Sequence, residues 1–244
     1  MSHPLLRMAI YGLIASVIGV VAALWIDWFP PAAVQEAKDI DTLWDVLLIV
    51  SVPIFVLVMV VVIYCVRAFK ARPGDMGDGE PIHGNTMLEV VWVAVPFVIV
   101  SVLAVYGWIV LDDIEAKKPD RLQVEVRGQQ FIWRYEYPNP TGGKEKVKSY
   151  DLVVPTGRQV EFNINTDDVI HDFWIPAFRL KIDAVPGITT HWRATPSEKG
   201  SYDVLCAELC GLGHSTMRGS VRVVAPEEYD AWLSKTAAKA AEEG

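Results

Sequence analysis

Cysteine is scarce in this chain of 244 residues, which contains only Cys65, Cys206 and Cys210. Cys206 and Cys210 lie four positions apart, and Cys65 lies within an apolar run, so the chain has no second cysteine pair. Zinc sites built from cysteine often combine two such pairs. The shortage argues against a four-cysteine zinc site, but a disulfide or a zinc pair stays open for Cys206 and Cys210 taken alone.

Positive charge is also in short supply, with 22 Lys and Arg against 30 Asp and Glu and a net charge of -8. A chain with this balance is not expected to bind nucleic acid. Charges of either sign are missing from residues 8–26, 46–66 and 90–111, which are 19, 21 and 22 residues long. Each stretch is long enough for a membrane-spanning helix. Because the rest of the chain is polar, we expect a soluble module anchored in a lipid bilayer.

The distribution of charge predicts the orientation in the membrane. Arg67, Lys70 and Arg72 follow the stretch 46–66 in a short loop, which marks that side as cytoplasmic. The segment 27–45 carries five acids against a single Lys38, so we expect it outside. Everything after about residue 112 then lies outside as well. This predicts a multi-pass protein of a bacterial-type plasma membrane with an extracytoplasmic, periplasmic domain.

The amino-terminal segment 1–33 has two interpretations. Arg7 precedes a long apolar stretch, and Pro30-Pro31-Ala32-Ala33 supplies small residues suited to processing. The segment is therefore either a first transmembrane helix or a secretory signal peptide. A transmembrane helical hairpin is predicted over residues 43–111 in both cases.

Beyond residue 120 short stretches of alternating apolar residues replace the long runs, and turn residues such as Pro155-Thr156-Gly157-Arg158 separate them. The alternating stretches are 122–126, 160–164, 202–204 and 221–223. This pattern predicts an all-β sandwich or barrel over residues 112–225. Pro226 followed by two glutamates predicts a carboxyl-terminal helix within 226–244.

The richest cluster of metal donors lies between Cys206 and Met217, where two thiols, the His214 imidazole and a thioether occur within twelve residues. Glycines at 211 and 213 allow a tight loop that brings these donors together. Soft sulfur with imidazole suits copper, zinc or iron, and the thioether favours copper. His171 begins an apolar strand-like stretch and is the candidate for a further ligand.

These residues carry a family resemblance. The pattern Cys206-x-Glu208-x-Cys210-x-x-x-His214-x-x-Met217, preceded by His171 and by Lys181-Ile182-Asp183-Ala184-Val185-Pro186-Gly187, resembles subunit II of the haem-copper cytochrome c oxidases. The resemblance implies a Greek-key cupredoxin fold and a CuA centre of two copper ions bridged by both cysteines. It implies that His171 and Met217 complete one copper, and that His214 and the Glu208 backbone carbonyl complete the other.

The resemblance also implies roles beyond copper. The Glu208 side chain is expected to reach a magnesium or manganese ion shared with subunit I, and Asp183 to support the ligands from behind. Glu89, in a segment similar to the family's Glu-x-x-Trp-x-x-x-Pro helix start, is the candidate for the mouth of a proton pathway.

Electron transfer requires a docking partner, for which the resemblance implies cytochrome c or a membrane-held c-type cytochrome. Glu136, Asp167 and Asp168 match family positions of an acidic docking face. Phe131 occupies the position of the tryptophan through which electrons usually enter, so Trp133 is an alternative. The chain is thus expected to pass electrons from the cytochrome to haem in subunit I, where oxygen is reduced to water with proton translocation, and to assemble with the other oxidase subunits.

Three other classes of protein fit these residues less well. A quinol oxidase would have no use for the clustered sulfur donors, and nitrous oxide reductase typically lacks a helical hairpin. A copper-delivery or assembly protein usually has a Cys-x-x-x-Cys pair without Glu208 or Met217. The CuA subunit of a nitric oxide reductase stays open as an alternative.

Overall fold

The computed structural model describes residues 4–71, 73–74, 76–79 and 81–243, and these form two compact units. Arg72, one of the basic residues that predicted the orientation, lies outside the described residues. The helical unit comprises Met1–Asp27 and Asp41–Val110, and the β unit comprises Trp28–Ile40 and Leu111–Gly244.

Three long helices account for the apolar stretches: α1 (Pro4–Trp25), α2 (Ala37–Ala68) and α3 (Thr86–Glu115). By length and composition, each could cross a membrane, as the sequence predicts. Helix α2 begins six residues before the expected hairpin boundary at 43, and α3 ends four residues after the boundary at 111. Pro53 and Pro96 lie inside α2 and α3.

Helices α1 and α2 are in contact within the helical unit. Gly19 faces α2 so closely that a Cβ built on it would lie 2.8 Å from Val52 Cγ1. Small residues permit this approach, because helices in lipid associate chiefly by close packing. The Ser16 hydroxyl donates to the Gly12 carbonyl one turn away, which satisfies its polar group inside the helix.

The β unit contains ten strands in two sheets. The strands are β1 (Leu122–Gln129), β2 (Ile132–Tyr137), β3 (Val147–Ser149), β4 (Leu152–Pro155), β5 (Val160–Thr166), β6 (His171–Ile175), β7 (Leu180–Ala184), β8 (Thr190–Ala194), β9 (Gly200–Cys206) and β10 (Arg218–Val224). One sheet has the order β3-β2-β1-β5-β8 and the other β4-β10-β9-β6-β7. The four stretches predicted from alternation lie in β1, β5, β9 and β10, so the all-β prediction is confirmed.

The inner faces of both sheets supply one apolar core. In β1 the alternation of apolar and polar residues places Val124 and Val126 inside, as the period of two in a strand requires. Phe173 of the second sheet packs edge-on against Trp133 of the first, with ring centroids 5.1 Å apart. Helix α4 (Pro226–Glu243) covers one end of the core, where Trp232 packs edge-on against Tyr137. This helix lies within residues 226–244, as the sequence predicts.

A segment before α2 crosses the surface of the β unit. The Ala33 amide donates to the Ala177 carbonyl (2.9 Å), the Ala33 carbonyl accepts from the Ser197 amide (2.9 Å), and Ala33 is fully buried. The two carboxylate oxygens of Glu36 accept from the Thr195 amide (2.8 Å) and the Thr195 hydroxyl (2.7 Å). These contacts hold the segment, here called the strap (residues 33–36), against the β8 end of the sandwich.

Candidate metal centre

The predicted metal ligands meet at one end of the second sheet. His171 begins β6 and Cys206 ends β9, and these neighbouring antiparallel strands pair Phe173 with Cys206. The loop after Cys206 carries Cys210 and then a single 3₁₀ turn, His214–Thr216, before Met217. The Cys206 amide donates to the Met217 carbonyl at 3.2 Å, which closes the loop on itself.

The donor atoms lie close enough together to hold a metal ion. Ligand atoms of His171, Cys206 and Cys210 all lie within 4.8 Å of one another, and this is the only such group of His, Cys, Asp or Glu found among the described residues. The two Sγ atoms are 3.9 Å apart. From Cys210 Sγ, the distance is 3.6 Å to His214 Nδ1 and 4.0 Å to Met217 Sδ.

A backbone oxygen joins this group. The Glu208 carbonyl oxygen lies 3.3 Å from Cys206 Sγ, while the Glu208 side chain is exposed. The cluster therefore presents two thiols, two imidazoles, a thioether and a carbonyl. Sulfur and imidazole donors in this combination fit copper by their softness.

Burial affects the chemistry of the two thiols differently. Cys210 is buried, whereas Cys206 is partly exposed. The pKa of the Cys210 thiol is raised to about 11, mainly because the thiol is buried and secondly because Cys206 lies beside it. A bound metal must displace that proton, because only the thiolate is a ligand, so metal binding here releases protons.

His171 is held by a carboxylate that was not assigned this role from the sequence. Its Nδ1 faces Cys206 Sγ at 3.8 Å, and its Nε2 lies 2.9 Å from Asp168 Oδ1. Burial would raise the pKa of Asp168, but hydrogen bonds from the Gln130 amide, His171, the Val169 amide and Thr166 lower it to about 2. Asp168 is therefore an anion that orients the imidazole with Nδ1 toward the sulfur atoms.

Gln130 is a second residue whose role at the donor cluster could not be predicted from the sequence. Its backbone amide donates to Asp168 Oδ2 at 2.8 Å, and its side-chain amide donates to the Cys210 carbonyl. The second contact joins residues 80 positions apart, so no local pattern could have identified it. Gln130 thereby ties the β1–β2 hairpin to both the histidine side and the cysteine side of the cluster.

Trp133 and Phe131, the two predicted electron-entry residues, lie beside the cluster. Trp133 is buried, and its ring packs edge-on against the His171 imidazole with centroids 5.9 Å apart. Its indole Nε1 is buried without a partner among the described atoms. Phe131 is 37% exposed and lies over the loop at Gly211 and Gly213.

The remaining predicted residues lie outside the donor cluster. Asp167, which is exposed, accepts from Arg127 Nη1 at 3.0 Å and from Arg134, and Glu136 lies partly exposed on β2. Glu89 lies in the first turn of α3 in the helical unit, where its carboxylate accepts from the Asn85 amide at 3.2 Å.

Asp183 faces another acid across β6 and β7. It pairs in register with Asp172, whose Oδ1 is buried without a partner among the described atoms. Burial raises the pKa of Asp172, Lys181 opposes this, and Asp183 and Glu208 raise it further, to about 6. Asp183 and Glu208 thus place negative charge near Asp172, beside the loop from Cys206 to Met217, here called the metal loop. Hard cations prefer such an oxygen-rich environment.

Comparisons with known proteins cover both units. A family model described as "Cytochrome C oxidase subunit II, transmembrane domain" matches residues 21–110, and one described as "Cytochrome C oxidase subunit II, periplasmic domain" matches residues 143–224. The chain is 30% identical to cytochrome c oxidase subunit 2 of Thermostichus vulcanus, over 92% of this chain and 84% of that protein. It is 32% identical to the corresponding protein of Synechocystis sp., over 92% and 82%.

A solved structure is also similar. It is the crystal structure of the periplasmic domain of subunit II of cytochrome oxidase of Bradyrhizobium japonicum. The match has 30% identity and a TM-score of 0.45, and it covers 50% of this chain and 97% of that one.

Proposed function

The chain belongs to the cytochrome c oxidase subunit II family, and on that premise we propose that it receives electrons from a c-type cytochrome and passes them to haem in subunit I. It is a subunit of an oxidoreductase complex and a membrane protein whose β unit lies outside the cytoplasm. The family implies a copper centre, and the His171, Cys206 and Cys210 group is suited to metal. The family relationship does not favour a nitric oxide reductase subunit or a copper-delivery protein.

We propose that two copper ions share both cysteine sulfurs. His171 and Met217 would complete one ion, and His214 with the Glu208 carbonyl would complete the other. The distances support sharing of the sulfurs, because each sulfur lies near one donor of each set. Cys206 Sγ lies near His171 and the Glu208 carbonyl, and Cys210 Sγ lies near His214 and Met217. When bound, the copper pair supplies a reversible one-electron carrier.

The protein contributes orientation and exclusion of water. Asp168 fixes the His171 ring, and Met217 and Phe173 are fully buried beside the cluster. Ligands held on strands and by a closed loop change position little when charge arrives, so the reorganisation that opposes electron transfer is small. Trp133 and Phe131 would provide the aromatic path from the surface, because one touches His171 and the other covers the loop.

We also propose that the electron donor docks over the β1–β2 hairpin, near Glu136, Asp167 and Asp168. Two of these acids already have partners within the chain, since Asp167 pairs with two arginines and Asp168 with His171. Asp167 and Asp168 would therefore mark where the donor docks, but they offer it little unpaired negative charge.

Two further roles follow from the family and stay as proposals. The exposed Glu208 carboxylate, with Asp183 behind it, would meet a magnesium or manganese ion at the boundary with subunit I; the electrostatic influence of Glu208 on Asp172 supports an acidic environment there. Glu89, exposed at the amino-terminal end of α3, would be the mouth of a proton pathway into subunit I.

The close approach of Cys206 Sγ to His171 and of Cys210 Sγ to His214 carries the proposal, and metal analysis of the purified oxidase complex tests it. We expect two copper ions beyond those bound by the catalytic subunit, with an electron paramagnetic resonance spectrum of an electron shared equally by both. Cys206→Ser and Cys210→Ser should each abolish that spectrum. A complex that has one copper fewer, or that keeps the spectrum in either variant, would overturn the assignment.

A further inference from the structure

The β1–β2 hairpin presents apolar side chains next to the metal loop. Phe131 and Ile132 are 37% and 44% exposed, and Leu212 is fully exposed on the loop over which Phe131 lies. Val169 and Ile170 follow Asp168, which binds the Gln130 amide and so joins the same surface. We define the apolar patch as Phe131, Ile132, Val169, Ile170 and Leu212.

A cationic cleft adjoins this patch. It has a volume of about 340 Å³, and its charged lining residues are Arg127, Arg134, Lys148, Glu136 and Asp167. Three positive charges against two negative ones leave a formal charge of +1. The Arg127 and Arg134 guanidinium groups share the single carboxylate of Asp167, and Arg134 Nε is buried without an acceptor among the described atoms.

The cleft and the patch lie within the footprint of one docked protein. Arg127 pairs with Arg134 across β1 and β2, and the hairpin closes two residues further on at Gln129 and Ile132. Two residues of a strand span about 7 Å, whereas a docked protein covers a face several times wider. A protein that contacts Phe131 over the metal loop therefore also covers the cleft.

Local charge decides which electron donor fits this face. From residue 112 to the end the chain has 21 acids and 17 bases, a net charge of -4 that attracts basic proteins at long range. Exposed charges further apart than about 10 Å are largely screened at moderate salt. In the docked state the charge of the cleft therefore matters more to the partner than the net charge of the whole β unit. A basic surface placed over the cleft would bring like charges together.

Building on the proposed function, we propose that the electron donor is an acidic or neutral c-type cytochrome domain. Its apolar surface around the haem edge would cover the apolar patch, and a carboxylate beside that surface would enter the cationic cleft. The partly exposed guanidinium groups of Arg127 and Arg134 and the exposed Lys148 ammonium group are the donors that this carboxylate would meet. Of the acids on this face, Asp167 is already paired with two of this chain's arginines and Asp168 with His171, so a strongly basic partner finds few free anions there.

Steady-state turnover of the intact oxidase complex tests this inference. The two reductants are a reduced acidic bacterial c-type cytochrome and a reduced basic mitochondrial-type cytochrome c, each measured over a range of ionic strength. We expect a lower KM for the acidic cytochrome, with a kcat/KM that falls as salt rises. Lys148→Gln and the double variant Arg127→Gln with Arg134→Gln should raise this KM by about two- to five-fold and lower the KM of the basic cytochrome. Arg222→Gln, which removes an exposed charge from the other sheet, is the matched control and should change neither KM.

A small neutral reductant separates the two proposals. Wild-type complex that lacks the copper spectrum and cannot be reduced by tetramethylphenylenediamine would contradict the proposed function itself. Wild-type complex that turns over with this reductant but prefers the basic cytochrome, or whose cleft variants leave both KM values unchanged, would contradict only the inference about the donor.

Discussion

Phe131 lies directly over Gly213, so that a Cβ built on the glycine would be only 2.6 Å from Phe131 Cγ. Real Cβ atoms do not approach other atoms this closely, and the ring or the loop would have to move. The loop carries His214 one residue later, so the contact links the exposed aromatic ring to the position of a metal ligand. A glycine at this position is required by packing and not by backbone conformation, because its φ is -92°.

Gly213→Ala should therefore displace Phe131 and loosen the metal loop. We expect the free energy of unfolding to fall by about 1–3 kcal/mol, the usual cost of overpacking, and copper to dissociate faster. Denaturant unfolding and copper release to a chelator measure the two effects.

Gly219→Ala is the matched control, since the nearest atoms to its built Cβ lie at 3.9 Å. Phe131→Ala in the Gly213→Ala background should restore most of the lost stability, because it removes the clashing ring. Equal effects of the two glycine substitutions would show that Phe131 does not constrain the loop.

Asp168→Asn should weaken metal binding through His171. The histidine loses its charged partner at Nε2, and loss of such a partner typically reduces metal affinity by about 10–100-fold. Competition with a chelator at neutral pH measures this. Asp167→Asn makes the same chemical change one residue away, where the carboxylate contacts arginines instead, and we expect copper affinity to be unchanged.

Met217→Leu removes a thioether while keeping a fully buried side chain of similar volume. We expect assembly and copper content near the wild-type value, a higher reduction potential of the copper centre, and slower electron flow to oxygen. Redox titration followed by optical spectroscopy gives the potential. Met59→Leu in α2 is the control for the substitution itself. Normal electron flow with an unchanged reduction potential in Met217→Leu would show that Met217 is not a copper ligand.

The buried ion pairs of Glu161 predict acid sensitivity of the β unit. Burial alone would raise the pKa of Glu161, but hydrogen bonds from Arg121 and Arg193 and their charges outweigh it, so the pKa lies below the ordinary 4.5. A carboxyl group with a lowered folded pKa stabilises the protein above its unfolded pKa, and this stabilisation is lost as pH falls through the folded pKa.

Glu161→Gln should lower the free energy of unfolding by about 3 kcal/mol at pH 7, since it leaves the buried Arg193 and the partly exposed Arg121 without a full partner. Its stability should also depend less on pH below 4.5 than that of the wild type. Denaturant unfolding at several pH values measures both. Glu125→Gln, at a less buried pair with Lys146, should behave like the wild type, and an equal loss in both variants would contradict the role of burial.

Loss of the Glu36 carboxylate should release the strap. Glu36→Ala removes both acceptors of Thr195, so we expect the Thr195, Gln35 and Ser197 amides to exchange with solvent about tenfold faster. Hydrogen exchange read by mass spectrometry measures this in the detergent-solubilised protein. Asp39→Ala, an exposed acid in the first turn of α2, is the control, and equal exchange in both variants would mean that Glu36 does not hold the strap.

Much of the molecule was predictable because its signals are local. The apolar stretches, the alternating strands and the donors from Cys206 to Met217 each occupy one continuous segment, and the structure has helices, strands and a clustered site in those places. His171 was identified by its strand-like neighbours, although it lies 35 positions before Cys206. The docking role of Asp168 stays a prediction, whereas its contact with His171 could not be read from the sequence, because it depends on how the loop before β6 folds.

By itself the sequence determined the chemistry of the metal site, the apolar lengths suited to a bilayer and the family. Only the tertiary structure decided that Gln130 joins Asp168 to Cys210, that Arg127 and Arg134 neutralise Asp167, and that Glu36 binds Thr195. These contacts join residues 33 to 159 positions apart. Pairing of strands and closure of loops create such proximities, and no periodicity within a single segment records them.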